Sequence, residues 1–292
     1  MSCMACIERI YSVSALVGNG ACNAHCGFCA GKYLRPQAAH EDALYHKNLE
    51  AAIKLSARYG GWSLSFTGSG EPTCDPDALT KALEVYDRCA KQGAYFPNVN
   101  LFTNGILFGD KKFCERHLPT WRQLGLTNVA LSLHAADEEG QAQAYGIKEY
   151  PSIDDIVKNV TEQGVGIRGT LLLRKGGVDD ATTYKAAVTT LIEKGLNNIT
   201  SWPIGNPDGS RSPHTPSRLG LFGIRRWLQK NAKLCHGHAW GGGVYDYNGS
   251  ILRITDYVTR HDPKKDFVRQ LVVFQDATVA YSWIREGALC MK

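Results

Sequence analysis

The sequence predicts an α/β protein with one main domain, and three observations carry that prediction. Strand-length apolar segments alternate with stretches of helical periodicity from residue 10 to residue 230. Six such strands separated by helices imply a parallel sheet with right-handed crossovers. At 292 residues the chain exceeds what one small core needs and lies within the range of a single α/β barrel. From Cys235 the texture changes to short alternating segments around turns, which reads as a β-rich tail. The organisation predicted is a main unit over 1–232 and a small C-terminal β-hairpin cap over 233–292.

Residues 10–17 read as a buried strand rather than a signal-peptide core, because Glu8 and Arg9 cancel and no small-residue cleavage site follows. A helix over 41–59 rests on Ala43, Leu44, Leu49, Ala52, Ile53 and Ala57, with Glu41 and Asp42 at the end where the helix dipole favours acids. Strand 63–67 ends in glycines, a helix spans 76–89, and strand 98–103 ends at Asn104-Gly105. Helix 110–124, strand 128–134, helix 152–163, strand 165–173, helix 180–194 and strand 198–204 continue the alternation. Residues 205–218, with three prolines and two glycines, form a loop on the ligand face and are a candidate lid, or else a plain surface connection. Helix 217–230 closes the barrel portion, and hairpins follow at 244–254, around Asn248-Gly249, and at 268–284.

Hydrophobic residues at 43% and charged residues at 21%, without low-complexity tracts, describe a chain that folds throughout. The net charge of +5 is spread along the chain, which suits an anionic substrate or RNA and demands neither. No lysine-arginine cluster or aromatic-basic module stands out, so a small-molecule substrate is favoured over RNA or a peptide. No apolar run approaches the ~20 residues of a membrane span. Ten cysteines without an export signal point to a reducing, cytoplasmic compartment, where thiols bind metals or sit in cores.

The chemistry-bearing stretch is Cys22-Asn-Ala-His-Cys26-Gly-Phe-Cys29. Three thiolates within eight residues can converge on one metal centre, and soft sulfur favours an iron-sulfur cluster, zinc or cuprous copper. Three ligands on a four-iron cluster leave one iron open, whereas a zinc knot would be completed by His25, Cys6 or Cys3. The second reading is a zinc-stabilised, non-catalytic interaction protein.

The cysteine spacing, with aromatic Phe28 before the third cysteine, resembles the radical S-adenosylmethionine (SAM) superfamily. The resemblance implies a partial (β/α)6 TIM-type barrel and a [4Fe-4S] cluster on Cys22, Cys26 and Cys29. It further implies SAM on the unique iron, an electron donor of flavodoxin or ferredoxin type, and a 5'-deoxyadenosyl radical that abstracts hydrogen from substrate. Gly68-Ser69-Gly70-Glu71-Pro72 is similar to the family's Gly-Gly-Glu-Pro motif, with Ser69 where a glycine is usual, and would hold the SAM amino group. Thr103-Asn104-Gly105 resembles the Thr-Asn-Gly of many members, near the SAM methionine or the substrate. On the fourth strand Ser132 and His134 share a face and match positions that contact the SAM ribose and carboxylate. On the fifth, Arg168 and Arg174 share a face, with Arg174 nearer the carboxyl end and so better placed to clamp a carboxylate. Trp202 to Asn206 serve equally as an adenine platform or as core, and Phe28 is an expected neighbour of the adenine.

The tail resembles in outline the β-rich extensions of radical SAM peptide and pterin enzymes, but no cysteine lies between Cys235 and Cys290. A second cluster would have to recruit Cys3, Cys6, Cys235 and Cys290, and a clusterless cap over the barrel mouth is the simpler reading. His236, His238, Trp240 and Arg253 are candidate substrate contacts by position, and Cys74, Cys89 and Cys114 read as structural thiols. Modification of RNA bases remains an alternative, because Gly-Glu-Pro-Thr and Ser-Leu-His-Ala resemble family members of that kind.

Overall fold

A computed structural model describes residues 7–34, 42–206, 208, 210–238, 241–255, 265–285 and 289–291. A two-residue strand, β1 (Arg9–Ile10), precedes the six strands read from the sequence: β2 (Ser12–Leu16), β3 (Ser63–Thr67), β4 (Asn98–Thr103), β5 (Asn128–Leu133), β6 (Gly166–Leu173) and β7 (Asn198–Pro203). The helices are a single turn α1 (Gly31–Leu34), then α2 (Asp42–Arg58), α3 (Pro76–Lys91), α4 (Lys111–Gln123), α5 (Glu138–Tyr145), α6 (Ile153–Glu162), α7 (Ala181–Glu193) and α8 (Arg218–Asn231). The tail contributes β8 (Lys233–Gly237), β9 (Gly243–Tyr247), β10 (Ser250–Ile254), β11 (Phe267–Val268), β12 (Leu271–Val273), β13 (Val279–Ala280) and β14 (Leu289–Met291).

Strands β2 to β7 pair in sequence order and all in parallel. Each alternates, so Leu64, Leu101, Val129, Leu171 and Ile199 point outward into one apolar core under the helices. Helix α3 shows why the crossovers form where they do. Asp75 caps it by accepting from the Ala78 amide at 3.2 Å, and Pro76 occupies the first turn, where no amide donor is missed. Its buried face of Leu79, Ala82, Leu83, Val85 and Tyr86 recurs every three or four residues. Each large side chain so buried stabilises by about 1.5–3 kcal/mol.

The tail carries the two hairpins expected of it and builds them into the main sheet. Both hairpins form, and Asn248 and Gly249 at φ 51 and 84 supply the left-handed turn of the first. Neither stands apart, because β10 pairs in parallel with β7 and β12 pairs in parallel with β2. The tail therefore extends both edges of one sheet, in the order β14-β13-β12-β2-β3-β4-β5-β6-β7-β10-β9-β8. Backbone donors at the edges of β2 and β7 would otherwise be unpaired, and the returning tail satisfies them. Arg269, just before β12, donates to the Thr255 hydroxyl beyond β10 at 3.4 Å, so the two flanks meet through side chains. The sheet is mostly parallel and open, a partial barrel rather than a closed one. Helix α5 and strand β8 are additions the sequence reading lacked. Among the described residues no helix is long and apolar enough to cross a membrane.

Candidate active site

The cysteine loop follows β2 and is held by hydrogen bonds from three directions. The Glu71 amide donates to the Ala21 carbonyl at 2.8 Å, and the His25 amide donates to the Tyr145 carbonyl, at the end of α5, at 2.7 Å. The Asn104 amide side chain donates to the Asn23 side-chain oxygen at 2.7 Å. The 68–72 loop lies so close that a Cβ on Gly70 would stand 2.2 Å from the Ala21 carbonyl oxygen, and one on Gly31 would stand 2.2 Å from that of Ser69. Cys22 is exposed and Cys26 and Cys29 are half-buried, none of them in a disulfide. His25 is exposed and tied only by its backbone among these contacts, consistent with an ordinary loop residue.

Glu71 joins the strand ends. Its carboxylate accepts from the Thr73 amide at 3.0 Å, the Thr73 hydroxyl at 2.7 Å, the Thr103 hydroxyl at 2.7 Å and the Asn104 amide at 2.7 Å. Burial pushes its pKa up, against these donors, which favour the anion. Oε2 takes only one of the four, which leaves it acceptor capacity at the cavity. Gly105 follows with φ +79, where a Cβ would meet Leu131 at 2.2 Å, and the Tyr150 hydroxyl donates to the Asn104 carbonyl at 2.7 Å. The Ser69 hydroxyl points elsewhere: it donates to Gln275 at 2.6 Å and locks the loop to the tail.

At the ends of β5 and β6 an aromatic cluster surrounds Phe28. Its ring lies 4.7 Å from His134, 5.7 Å from His214 of the 205–218 loop and 5.6 Å from the Arg174 guanidinium. That loop therefore does reach the ligand face. Burial, with help from the Arg174 cation, lowers the His134 pKa to about 3, so the imidazole is neutral at any working pH. The His134 amide donates to Gln141, and the Tyr145 hydroxyl donates to the Ser132 carbonyl. Arg174 is set back from the cavity wall, whereas Ser132, His134 and Arg168 line it.

One cavity of about 690 Å³ runs from Cys22, Cys26 and Cys29, past Gly68, Gly70, Glu71, Pro72, Thr103 and Asn104, down into the barrel. Its lower wall is polar. Ser63 and Ser65, Asn98 and Asn100, Asn198 and Thr200 alternate with the outward apolar residues, and Arg168, Arg253 and Arg269 reach the same space. The sequence reading passed over these wall residues, although strict period-two alternation in Ser-Leu-Ser-Phe-Thr and Asn-Val-Asn-Leu-Phe-Thr carries the signal. Trp202 and Ile204 also line the cavity, and His238 joins them, whereas His236 does not. Trp240 lies outside the described residues, as do Cys3, Cys6 and the Cys290 side chain. Cys235 is exposed on β8. Cys89 and Cys114 are buried, their thiols pushed up to about 11 and about 12, as inert core thiols are. Cys74 is half-buried near Cys22, and burial raises its thiol as well.

Cys22, Cys26 and Cys29 line one end of the cavity, a three-thiol donor set of the kind that holds an iron-sulfur cluster. His134 Nδ1 is buried without a hydrogen-bond partner in a side chain that lines the cavity, a polar atom that a polar ligand can satisfy. The model of the radical SAM superfamily matches residues 17–199. The chain belongs to the radical SAM superfamily. Radical SAM proteins are enzymes that use a [4Fe-4S] cluster and SAM, and solved structures that share this fold hold bound AdoMet.

Among its relatives, a GTP 3',8-cyclase from Actinobacillus pleuropneumoniae is 28% identical over 130 residues, 44% of this chain and 35% of that protein. The dual-specificity RNA methyltransferase RlmN of Aliarcobacter butzleri is 22% identical over 228 residues, 76% of this chain and 60% of the relative. The chain thus spans between about a third and three fifths of the curated relatives it matches. In fold it resembles Streptococcus suis SuiB bound to S-adenosylmethionine, with a TM-score of 0.59 at 13% identity over 94% of this chain and 61% of that one. It also resembles anSMEcpe with bound AdoMet and the Cp18Cys peptide, at a TM-score of 0.56 and 15% identity, over 76% of this chain and 60% of that one.

Proposed function

We propose that this radical SAM enzyme binds its cluster on Cys22, Cys26 and Cys29 and acts on a polar small molecule held inside the barrel. The observation that carries the reading is the continuous cavity joining the cysteine loop to inward-facing hydroxyl, amide and guanidinium groups. At about 690 Å³ it has the size of a small-molecule site. With cluster and SAM bound, one-electron reduction supplies a 5'-deoxyadenosyl radical.

The chain's own residues do the remaining work. The oxygen atoms of Glu71 and Asn104 receive and orient the SAM amino group, Ser132 and the Phe28 cluster line the nucleoside side, and the barrel wall excludes water. Burial, aided by the Arg174 cation, holds His134 neutral beside the site. An electron donor of flavodoxin or ferredoxin type in a reducing cytoplasm completes the cycle. Peptide or RNA substrates, as named for SuiB, anSMEcpe and RlmN, are the second reading, and the small-molecule size of the cavity favours the first.

Anaerobically prepared protein should carry about four irons, absorb broadly near 400 nm and release 5'-deoxyadenosine from SAM on reduction. Replacing the three cysteines by alanine should abolish all three signals. A colourless protein holding one zinc, or product formed by the triple variant, would refute the assignment.

A further inference from the structure

We propose that the lower half of the cavity is an oxyanion subsite, built by Arg168 and Arg253 with Arg269 alongside, that receives a phosphate group of the substrate. The inference rests on the small-molecule reading above and names the class of molecule.

Two features of the wall point to an anion. Arg168 projects from β6 into the cavity, where its guanidinium donates to Asn100 at 3.4 Å and Thr200 at 3.2 Å and lies 5.2 Å from the Phe102 ring centre. Arg253 projects from β10, opposite Thr200 of β7, and donates to Asn198. Every one of these partners is a neutral oxygen, and none cancels charge. Neither arginine has an ion pair among the described residues, and the cavity's one described acid, Glu71, is committed to Thr73, Thr103 and Asn104 at the upper end. Arg269 reaches the same wall. A guanidinium taken out of bulk water without a counter-charge is costly, and two within electrostatic reach of each other are more so. Burial and the neighbouring Arg253 together hold the Arg168 pKa down to about 10. Arg168 is half-buried and lines the cavity, so an anion entering that space meets its unshared donors.

Phosphate fits better than a carboxylate. The donors come from β6 and β10, separate strands with β7 between them, and so approach from different directions. A tetrahedral dianion can accept from both and offset two charges, whereas a planar carboxylate fills one fork. The position also suits a substrate that spans the cavity. Arg168 pairs with Ala130, four residues before His134, and at ~3.3 Å per residue the subsite lies about 13 Å below the SAM end. That is the length of a small phosphorylated metabolite with its reactive carbon near the cluster.

The test is inorganic phosphate titrated into the cluster-containing protein, followed by calorimetry and by thermal shift, alongside succinate as a dicarboxylate control. Phosphate should bind and raise the melting temperature. In Arg168→Gln and in Arg253→Gln, binding should weaken at least 10-fold, while without phosphate each variant melts no lower than the parent because an unpaired buried charge has gone. Arg168→Lys should retain part of the affinity that Arg168→Gln loses. Equal phosphate affinity in both variants, or succinate binding in place of phosphate, overturns the proposal. Should one variant fail to fold, the other still decides. Iron content and 5'-deoxyadenosine formation are read on the same samples. Protein that cleaves SAM but ignores phosphate sinks the subsite alone, and protein that binds phosphate through Arg168 but holds no iron sinks the cysteine assignment alone.

Discussion

Glu71→Gln isolates how the SAM-facing loops are held. The carboxylate accepts four hydrogen bonds, three on Oε1 and one on Oε2. A glutamine can keep its oxygen toward Thr73 and Thr103, but its NH₂ then faces the Asn104 amide, donor against donor. One charge-assisted bond is lost, about 1.5–3 kcal/mol, and a buried N–H is left unpaired, about 1–3 kcal/mol. Opposing this, the neutral amide avoids the burial penalty that raises the Glu71 pKa. The net expectation is destabilisation by about 2 kcal/mol in urea unfolding at unchanged m-value. SAM affinity should fall at the same time, because Thr103 and Asn104 lose their brace and the cavity loses an acceptor. A variant within 0.5 kcal/mol of the parent (on the order of measurement error) that also binds SAM normally would show that Glu71 braces nothing.

Two further outcomes are expected. Burial and the Arg174 cation lower the His134 pKa from its ordinary 6.5 to about 3, so its contribution to stability is complete above about pH 6.5 and is lost as pH falls from there toward 3. At pH 5 the loss is about 2 kcal/mol, and His134→Leu should flatten the stability profile between pH 6.5 and 5 by that amount, checked by denaturation in the same cluster state. An unchanged profile would mean that the imidazole is not held neutral by burial. Gly70→Ala places a Cβ 2.2 Å from the Ala21 oxygen and 2.4 Å from that of Gly20, both backbone. Forcing the loops apart should cost about 1–3 kcal/mol and reduce iron per chain, and parent-like iron content and melting temperature would refute the contact.

Much of the scaffold was readable from local pattern. Helix caps such as Asp75-Pro76, strand ends such as Asn104-Gly105 and the Asn248-Gly249 turn announce themselves within a few residues, because capping and left-handed backbone depend on local chemistry. Helix α5 was missed because Glu138–Tyr145 has barely two turns and a weak apolar stripe, although it supplies the Tyr145 carbonyl that holds His25. Ser69 shows the limit for a motif: its place matches a glycine-rich loop, yet its hydroxyl is spent on Gln275, 206 residues away. Arg168 and Arg174 show the limit for a shared face. Arg168 sits on β6 and lines the cavity, but Arg174 lies past the strand's last residue, Leu173, in the turn to Val178, where the two-residue alternation ends, and packs by Phe28.

The sequence alone determined the class of protein: three cysteines at metal-binding spacing, a Gly-Glu-Pro turn after the second strand, and a strand-helix alternation that puts both at one end of a parallel sheet. Those are short-range facts, set by spacing and periodicity. Only the tertiary structure decided that the tail completes both edges of the sheet, that Glu71 is a four-bond hub, and that arginines from β6 and β10 line one cavity. The residues concerned lie up to 85 positions apart in the case of Arg168 and Arg253, and only sheet pairing, which no local propensity encodes, brings them to the same space.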